Sequence, residues 1–349
     1  MRSPESKVLF TGTRKGIEAS LVPKEGFEIT FISIYGLRRA MTLSNVLLPF
    51  YLLKSVVQCF GIFRRFSPHV VFGTGGYVSG PVLFAAIISG IPTMLHEQNS
   101  RPGLTTRWLA RWVTFVLLSF SQSDAYFQRK SNLRVTGNPT RFHPKTADSR
   151  SARLHFGLEQ DLHTILIFGG SLGAHSINMA LLEAVDEFMT STNIQLLWQT
   201  GKTDFEEIQG RVSQYRGRMK VYPFIEDMID AYRAADVVVC RAGASTLAEI
   251  TRIGLPAILV PYPHATGRHQ ELNARVFVEA GAAEMISDHE LNGRRLIDTI
   301  TELLKEPEKR RRMSQKSRAL GRPRAASAIV EAMLELVQDR NHDDDADRE

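Results

Sequence analysis

His96, Glu97, Gln98 and Asn99 follow directly on a hydrophobic run that ends at Leu95. An imidazole, a carboxylate and two amides at the C-terminal end of a strand can hold and orient a ligand. In open α/β sheets the ligand crevice lies outside the carboxyl ends of the strands. His96 and Glu97 are therefore candidates for substrate contact, and His96 for proton transfer.

Three further strand ends carry similar sets. Thr164–Phe168 leads into Gly169-Gly170-Ser171-Leu172-Gly173 and then a helix from Ala174. Glycines let backbone N–H groups approach an anion, and a helix N-terminus adds partial positive charge. Ser171 could donate to a phosphate oxygen; a tight βα turn also accounts for the glycines. The same run fits the G-x-S-x-G nucleophile elbow, with Ser171 as nucleophile of an α/β-hydrolase. That alternative lacks a well-placed acid: Asp236 precedes its strand, although His264 and His269 could serve as bases.

Val237–Cys240 leads into Arg241-Ala242-Gly243-Ala244-Ser245-Thr246 and a helix bearing Glu249. Small residues at a helix start offer backbone donors, and a carboxylate in that helix can accept both hydroxyls of a ribose. A helix cap with Glu249 favoured by the macrodipole is the plainer explanation. Pro261-Tyr262-Pro263-His264 precedes Arg268-His269-Gln270-Glu271, where Gln270 offers an amide to sugar hydroxyls. In the first half, Gly73-Thr74-Gly75-Gly76-Tyr77-Val78-Ser79-Gly80 makes another glycine cradle before a helix. Its spacing does not meet the dinucleotide fingerprint, and neither a P-loop lysine nor metal-ligand spacing occurs. No metal and no cofactor are implied.

The elements that must position these residues alternate along the chain. Strands are expected at Val8–Thr11, Ile29–Ile34, Val70–Phe72, Thr93–Leu95, Phe115–Leu118 and Leu133–Val135. After the irregular stretch Asn138–Ser151 they resume at Thr164–Phe168, Gln195–Gln199, Lys220–Tyr222, Val237–Cys240, Ala257–Val260 and Glu284–Ile286. Helices between them imply two doubly wound parallel sheets, with ligand in the crevice between domains. The expected divisions are 1–141, 142–321, a C-terminal helix 322–338 and a frayed acidic tail 339–349.

A chain of 349 residues with 43% hydrophobic content supports two packed cores. A net charge of +6 and pI near 9.4 suit an anionic partner or simple solubility. Cys59 and Cys240 each sit in an apolar run and are expected as buried thiols rather than a disulfide. Val70–Leu95 has no charged residue, yet its glycines and prolines favour strand, turn, helix and strand over a membrane span. Leu43–Phe66 is an expected amphipathic helix flanked or punctuated by Arg38, Arg39, Lys54, Arg64 and Arg65. Arg107, Trp108, Arg111 and Trp112 form a second basic-aromatic group. Such surfaces suit anionic headgroups, while core packing accounts for most of the apolar residues.

Taken in order, the HEQN run at His96–Asn99, Gly137-Asn138-Pro139-Thr140-Arg141, GGSLGAHSIN from Gly169, WQTGK from Trp198, CRAGASTLAEI from Cys240 and GLPAILVPYPHAT from Gly254 with His269-Gln270 resemble the MurG family of N-acetylglucosaminyltransferases. The resemblance runs from about Val8 to Val337. It implies a GT-B fold of two Rossmann-like doubly wound domains. It implies inverting transfer of GlcNAc from UDP-GlcNAc to lipid I, giving lipid II for peptidoglycan, at the cytoplasmic face of the bacterial inner membrane. By that resemblance Ser171 contacts the diphosphate, and Ile225 recognises uracil through its backbone with Arg141 nearby. Ala244, Ser245 and Thr246 present donors to phosphate, and Glu249 holds the ribose. Gln270 and His269 meet the sugar with Asn99, and Gly75, Gly76, Tyr77 and Ser79 form the acceptor-diphosphate loop. The implied partners are UDP-GlcNAc, lipid I, an anionic membrane surface and cell-wall synthesis proteins, with no nucleic acid.

One departure matters. The family opens with a strand, a G-G-T-x-G-H loop and a helix, whereas Val8-Leu9-Phe10-Thr11-Gly12-Thr13 resembles the family's second strand. The N-terminal domain is therefore expected to be truncated, lacking its central strand and the histidine usually proposed as base. His96 is then the remaining base candidate, and a catalytically inactive or split nucleotide-sugar-binding protein is the alternative.

Overall fold

The computed structural model describes residues 6–36, 47–141, 148–170 and 172–346. Two units emerge: the first comprises Met1–Gln98, Pro102–Thr136 and Ser327–Glu349, the second Asn99–Arg101 and Gly137–Ala326. The break thus falls at Thr136/Gly137 rather than beyond Arg141, and the last helix belongs mostly to the first unit.

In the first unit, β1 (Leu9–Gly12), α1 (Glu18–Lys24) and β2 (Glu28–Phe31) make a parallel pair, with Leu9 opposite Glu28. After α2 (Leu48–Phe66), β3 (Val71–Gly73), α3 (Gly76–Ile88), β4 (Thr93–Glu97), α4 (Leu104–Leu109), β5 (Phe115–Leu118) and β6 (Leu133–Val135) build a second parallel sheet in sequential order. The described strands of this unit form two sheets, and β1 and β3 each have a single strand neighbour. Short β-branched and aliphatic runs make these strands, and α3 and α4 cover them through Leu83, Ala86 and Leu109, with Val113 beyond α4 in the same core. The run from Val70 to Leu95 is a strand, a glycine turn, a helix and a strand, and no described helix is long and apolar enough to cross a membrane.

The second unit holds α5 (Ser149–His155), β7 (His163–Phe168), α6 (His175–Ser191), β8 (Ile194–Gln199), α7 (Phe205–Arg211), β9 (Met219–Tyr222), α8 (Met228–Ala234), β10 (Val237–Cys240), α9 (Ala244–Ile253), β11 (Ala257–Leu259), α10 (His269–Glu279), β12 (Ala283–Met285), α11 (Gly293–Lys305) and α12 (Pro307–Leu320). The strands are parallel in the order β12-β11-β10-β7-β8-β9. Chain order therefore reverses between β7 and β10, and a ligand is expected at their carboxyl ends. Ile165, Ile167, Val237 and Val239 are fully buried on this sheet. Against α6, α11 lays Leu296, Ile300 and Leu303 at helical spacing, close enough that a Cβ at Gly293 would strike Ala184. Asn292 caps α11 by accepting from the Arg295 amide.

The final helix, α13 (Ala325–Ala346), corrects the expected tail: helix continues through the acidic residues to Ala346. Its Ile329, Ala332 and Leu336 bury Met94 and Leu117 of the first unit's sheet. Both cysteines are buried and free.

Candidate active site

The site is built at the switch point of the second unit. After Phe168, Gly170 and Gly173 take φ of +98° and +81°, a region open to glycine. A Cβ at Gly173 would also run into the Thr200 carbonyl, so the loop lies against the end of β8. Ser171, the predicted diphosphate contact, lies outside the described residues. From this loop α6 starts at His175, and the next helix start, α9 at Ala244, follows β10. Two helix N-termini thus rise from the adjacent strands β7 and β10. Ala244, Ser245 and Thr246 form the first turn of α9, and Ser245 is exposed.

Glu249 sits one turn further along α9, half-buried. Its Oε2 accepts from the Tyr232 hydroxyl at 2.8 Å. Burial pushes the Glu249 carboxyl above the ordinary glutamate range, opposed by this hydrogen bond and by the charge of Arg141. Tyr232 is itself buried, which with the Glu249 charge lifts its hydroxyl far above the usual tyrosine value.

Ile225 is buried, and its backbone N–H donates to Gln199 Oε1 at 2.7 Å. Gln199 Nε2 in turn donates to the Gly170 carbonyl at 2.9 Å. Gln199, carried by the WQTGK motif, thus ties the glycine loop to the Ile225 segment.

The third strand end leads into a turn in which Gly267 and Arg268 both have positive φ, +62° and +56°, a region open to glycine but uncommon for arginine. His269 opens α10 with Nδ1 2.7 Å from the Thr266 carbonyl oxygen. Gln270 Oε1 accepts from the Tyr262 amide at 2.9 Å, leaving the Nε2 group for a ligand. Asn273, one turn on and fully buried, accepts from the Ser100 amide at 2.8 Å and donates to Asn99 Oδ1 and the Ala242 carbonyl, both at 3.2 Å. Asn99 therefore stands with the second unit beside the α9 start.

Two networks brace these loops. Arg241 donates to Asp288 Oδ1 at 2.5 Å, to Ser176 Oγ at 2.8 Å and to the Val260 and Pro261 carbonyls. Asp204 accepts from Asn178 at 2.7 Å and meets His175 Nδ1 at 3.0 Å, while Asn178 accepts from Trp198 Nε1.

In the first unit, Gly75 and Gly76 take φ of +86° and +73° at the start of α3, with Tyr77 exposed beside them. The Tyr77 hydroxyl lies 3.5 Å from Thr13 Oγ1. Ser79 is corrected: its hydroxyl donates back to the Gly75 carbonyl at 2.6 Å and is buried. His96 and Glu97 are corrected too. Both are residues of β4 itself, 2% and 4% exposed. The His96 ring nitrogens face Gln98 Nε2 at 3.0 Å and Ser119 Oγ at 3.3 Å, and Glu97 Oε2 accepts from the Gly103 amide. They shape the strand end and the α4 start, and His96 is withdrawn as a base: a proton acceptor must reach its substrate.

The chain matches the glycosyltransferase family 28 N-terminal domain over residues 2–118 and the family 28 C-terminal domain over residues 164–329. It is a glycosyltransferase of that family, with two Rossmann-like α/β units of the GT-B type. A UDP-N-acetylglucosamine--N-acetylmuramyl-(pentapeptide) pyrophosphoryl-undecaprenol N-acetylglucosamine transferase of Desulforamulus reducens is 40% identical, over 96% of this chain and 92% of the relative. The enzyme of the same name from Chlorobaculum parvum is 45% identical over 95% and 92%. The crystal structure of Acinetobacter baumannii MurG superposes with a TM-score of 0.76 at 28% identity, covering 96% and 92% of the two chains. This chain belongs to the MurG family and is an N-acetylglucosaminyltransferase. On that coverage the truncation expected from the opening residues is not evident. Neither the inactive binding protein nor the Ser171 hydrolase finds support among these relatives. A UDP-GlcNAc 2-epimerase of Neisseria meningitidis, bound to UDP-GlcNAc, shares the fold at 14% identity and a TM-score of 0.64.

Proposed function

We propose that this enzyme transfers GlcNAc, with inversion, from UDP-GlcNAc to lipid I to form lipid II. The observation that carries the reading is the pair of helix N-termini at the β7/β10 switch point, with Glu249 one turn into the second helix. Anions are favoured there by oriented backbone N–H groups. The donor diphosphate lies against the Gly169–Ala174 loop, including Ser171, and against Ala244, Ser245 and Thr246. Glu249 accepts the ribose hydroxyls, the Ile225 backbone meets uracil near Arg141, and Gln270, His269 and Asn99 orient the sugar. The leaving UDP gains negative charge as the glycosidic bond breaks, and preorganised donors stabilise that charge without reorganisation. The glycine loop at Gly75, Gly76 and Tyr77 receives the acceptor diphosphate at the start of α3.

A lipid-linked acceptor requires a membrane-facing surface. On α2, Phe50, Leu53, Val57 and Phe60 are exposed at helical spacing, with Lys54, Arg64 and Arg65 on the same helix. We assign this stripe to the cytoplasmic surface of an anionic membrane. Arg38 and Arg39 lie outside the described residues.

The test is UDP release from UDP-GlcNAc with and without lipid I, with the product analysed by mass. Lipid I-dependent release and an acceptor heavier by one GlcNAc residue are expected. UDP-GlcNAc binding with no transfer would leave a binding protein and defeat the proposal.

A further inference from the structure

Tyr232 is a buried phenol that the donor-binding roles leave unused. It stands on α8, 1% exposed, with its ring edge-on to Phe168 at 5.9 Å between centroids. Phe168 is the last residue of β7, immediately before the glycine loop. The Tyr232 hydroxyl reaches Glu249 Oε2 at 2.8 Å. One side chain therefore touches the strand that presents the glycine loop and the carboxylate of α9.

A glutamate has three rotatable side-chain bonds, and a helix leaves it several rotamers. A carboxylate that must receive two vicinal hydroxyls has to be held in one of them. A phenol O–H donating to Oε2 fixes that oxygen and sets the carboxylate plane. The bond is charge-assisted and shielded from water, so it is stronger than a neutral surface bond. Tyr232 cannot touch a nucleotide from its buried position. Its effect on donor binding must pass through Glu249.

We propose that Tyr232 is a positioning residue that sets the Glu249 carboxylate for the ribose diol and so fixes the preference for a ribonucleotide donor. The proposal rests on the ribose role of Glu249. Phenylalanine at position 232 keeps the ring on Phe168 and removes only the hydroxyl.

The experiment measures dissociation constants of UDP and 2′-deoxy-UDP for the full chain, for Tyr232→Phe and for Glu249→Gln. The wild type is expected to prefer UDP. Tyr232→Phe is expected to weaken UDP by about tenfold, the equivalent of one charge-assisted hydrogen bond, and to weaken 2′-deoxy-UDP, which keeps only the 3′-hydroxyl, clearly less. Equal weakening of both nucleotides would mean that the hydroxyl is merely structural, and no weakening of either would mean that it does not orient Glu249. Either result overturns the proposal. If Glu249→Gln itself leaves the preference intact, the ribose role of Glu249 fails, and the positioning role falls with it for that separate reason.

Discussion

The Arg241 guanidinium meets the Asp288 carboxylate at 2.5 Å, and through that pair three separate loops of the second unit are held in register. Arg241 leaves β10, Asp288 follows β12, and Ser176, which donates to the same carboxylate at 2.8 Å, lies in the first turn of α6. The two side chains are 12% and 20% exposed, so the charges are mostly desolvated. Removing one partner of such a pair strands the other. Arg241→Gln is expected to cost roughly 3 kcal/mol of stability, seen as a lower urea midpoint, and to raise the KM for UDP-GlcNAc. Arg241→Lys keeps the charge but loses the fork of donors to the Val260 and Pro261 carbonyls, and should fall between. An unchanged midpoint in Arg241→Gln would show that the pair braces nothing.

Asn273 makes a prediction confined to the Asn99–Arg101 segment. Its Oδ1 is the acceptor for the Ser100 amide. Asn273→Ala leaves that amide without its partner at a cost of about 1–3 kcal/mol. Amide hydrogen exchange at Ser100 should accelerate well beyond that of neighbouring β4 amides. Equal protection in variant and wild type would mean that other contacts hold the segment.

The two glycines that shape the donor loop should differ. At Gly173 a methyl group meets the Thr200 carbonyl and the backbone has φ +81°, whereas at Gly170 the space for a Cβ is open, with φ +98°. Gly173→Ala therefore adds a backbone collision to dihedral strain of about 1–3 kcal/mol, and Gly170→Ala adds only the strain. Melting temperatures should fall in both, further in Gly173→Ala. The reverse order would contradict the loop geometry.

The twelve strands of the described residues were legible because each is a short apolar run closed by glycine, proline or a polar cluster, a signal local in sequence. Within HEQN, the placing of His96 and Glu97 at an open strand end went wrong for a related reason. Periodicity cannot show that β4 extends two residues beyond Leu95, carrying His96 and Glu97 inside. The braces were illegible because their partners are remote: Tyr232 and Glu249 are 17 residues apart, Gln199 and Ile225 26, Arg241 and Asp288 47. Only the fold brings them together. The sole local hint was that Gln199 and Arg241 sit inside the motifs WQTGK and CRAGA.

Glu249 ties donor binding to pH. Burial raises its carboxyl in the folded protein above the unfolded value of about 4.3. A raised folded pKa means that the folded state holds the proton more tightly. The associated stability is fully present below the unfolded pKa and is lost as pH rises through the folded one. At neutral pH the ionised carboxylate is therefore a net cost, retained for ligand binding. Glu249→Gln still accepts from Tyr232 and should melt higher than wild type at pH 8, with the difference shrinking towards pH 4. Binding should move oppositely, with UDP affinity of the wild type declining as Glu249 protonates on the acid side. A Glu249→Gln variant that is less stable than wild type at pH 8 would show that the carboxylate stabilises the fold outright.

The α2 stripe predicts how the enzyme meets a membrane. Phe50 and Leu53 are 65% and 64% exposed, Val57 is 60% exposed, and all lie on one side of a helix whose opposite side buries Val56, Cys59 and Ile62. An exposed apolar row of this kind marks a contact surface. Full burial of such side chains contributes about 1.5–3 kcal/mol each, and a basic residue near an anionic surface about 1 kcal/mol. Vesicles of phosphatidylglycerol should therefore sediment the enzyme and vesicles of phosphatidylcholine much less, with binding weakened by salt. Replacing Phe50, Leu53 and Val57 together by serine should lower the affinity for phosphatidylglycerol vesicles at least tenfold, since even shallow insertion of three such groups exceeds 1.4 kcal/mol. The circular dichroism of the triple variant should be unchanged, because none of the three fills the core. Should it sediment like the wild type, the stripe is not the membrane contact. The basic-aromatic group at Arg107, Trp108, Arg111 and Trp112, where the two tryptophans pack edge-on at 4.7 Å, would then take its place.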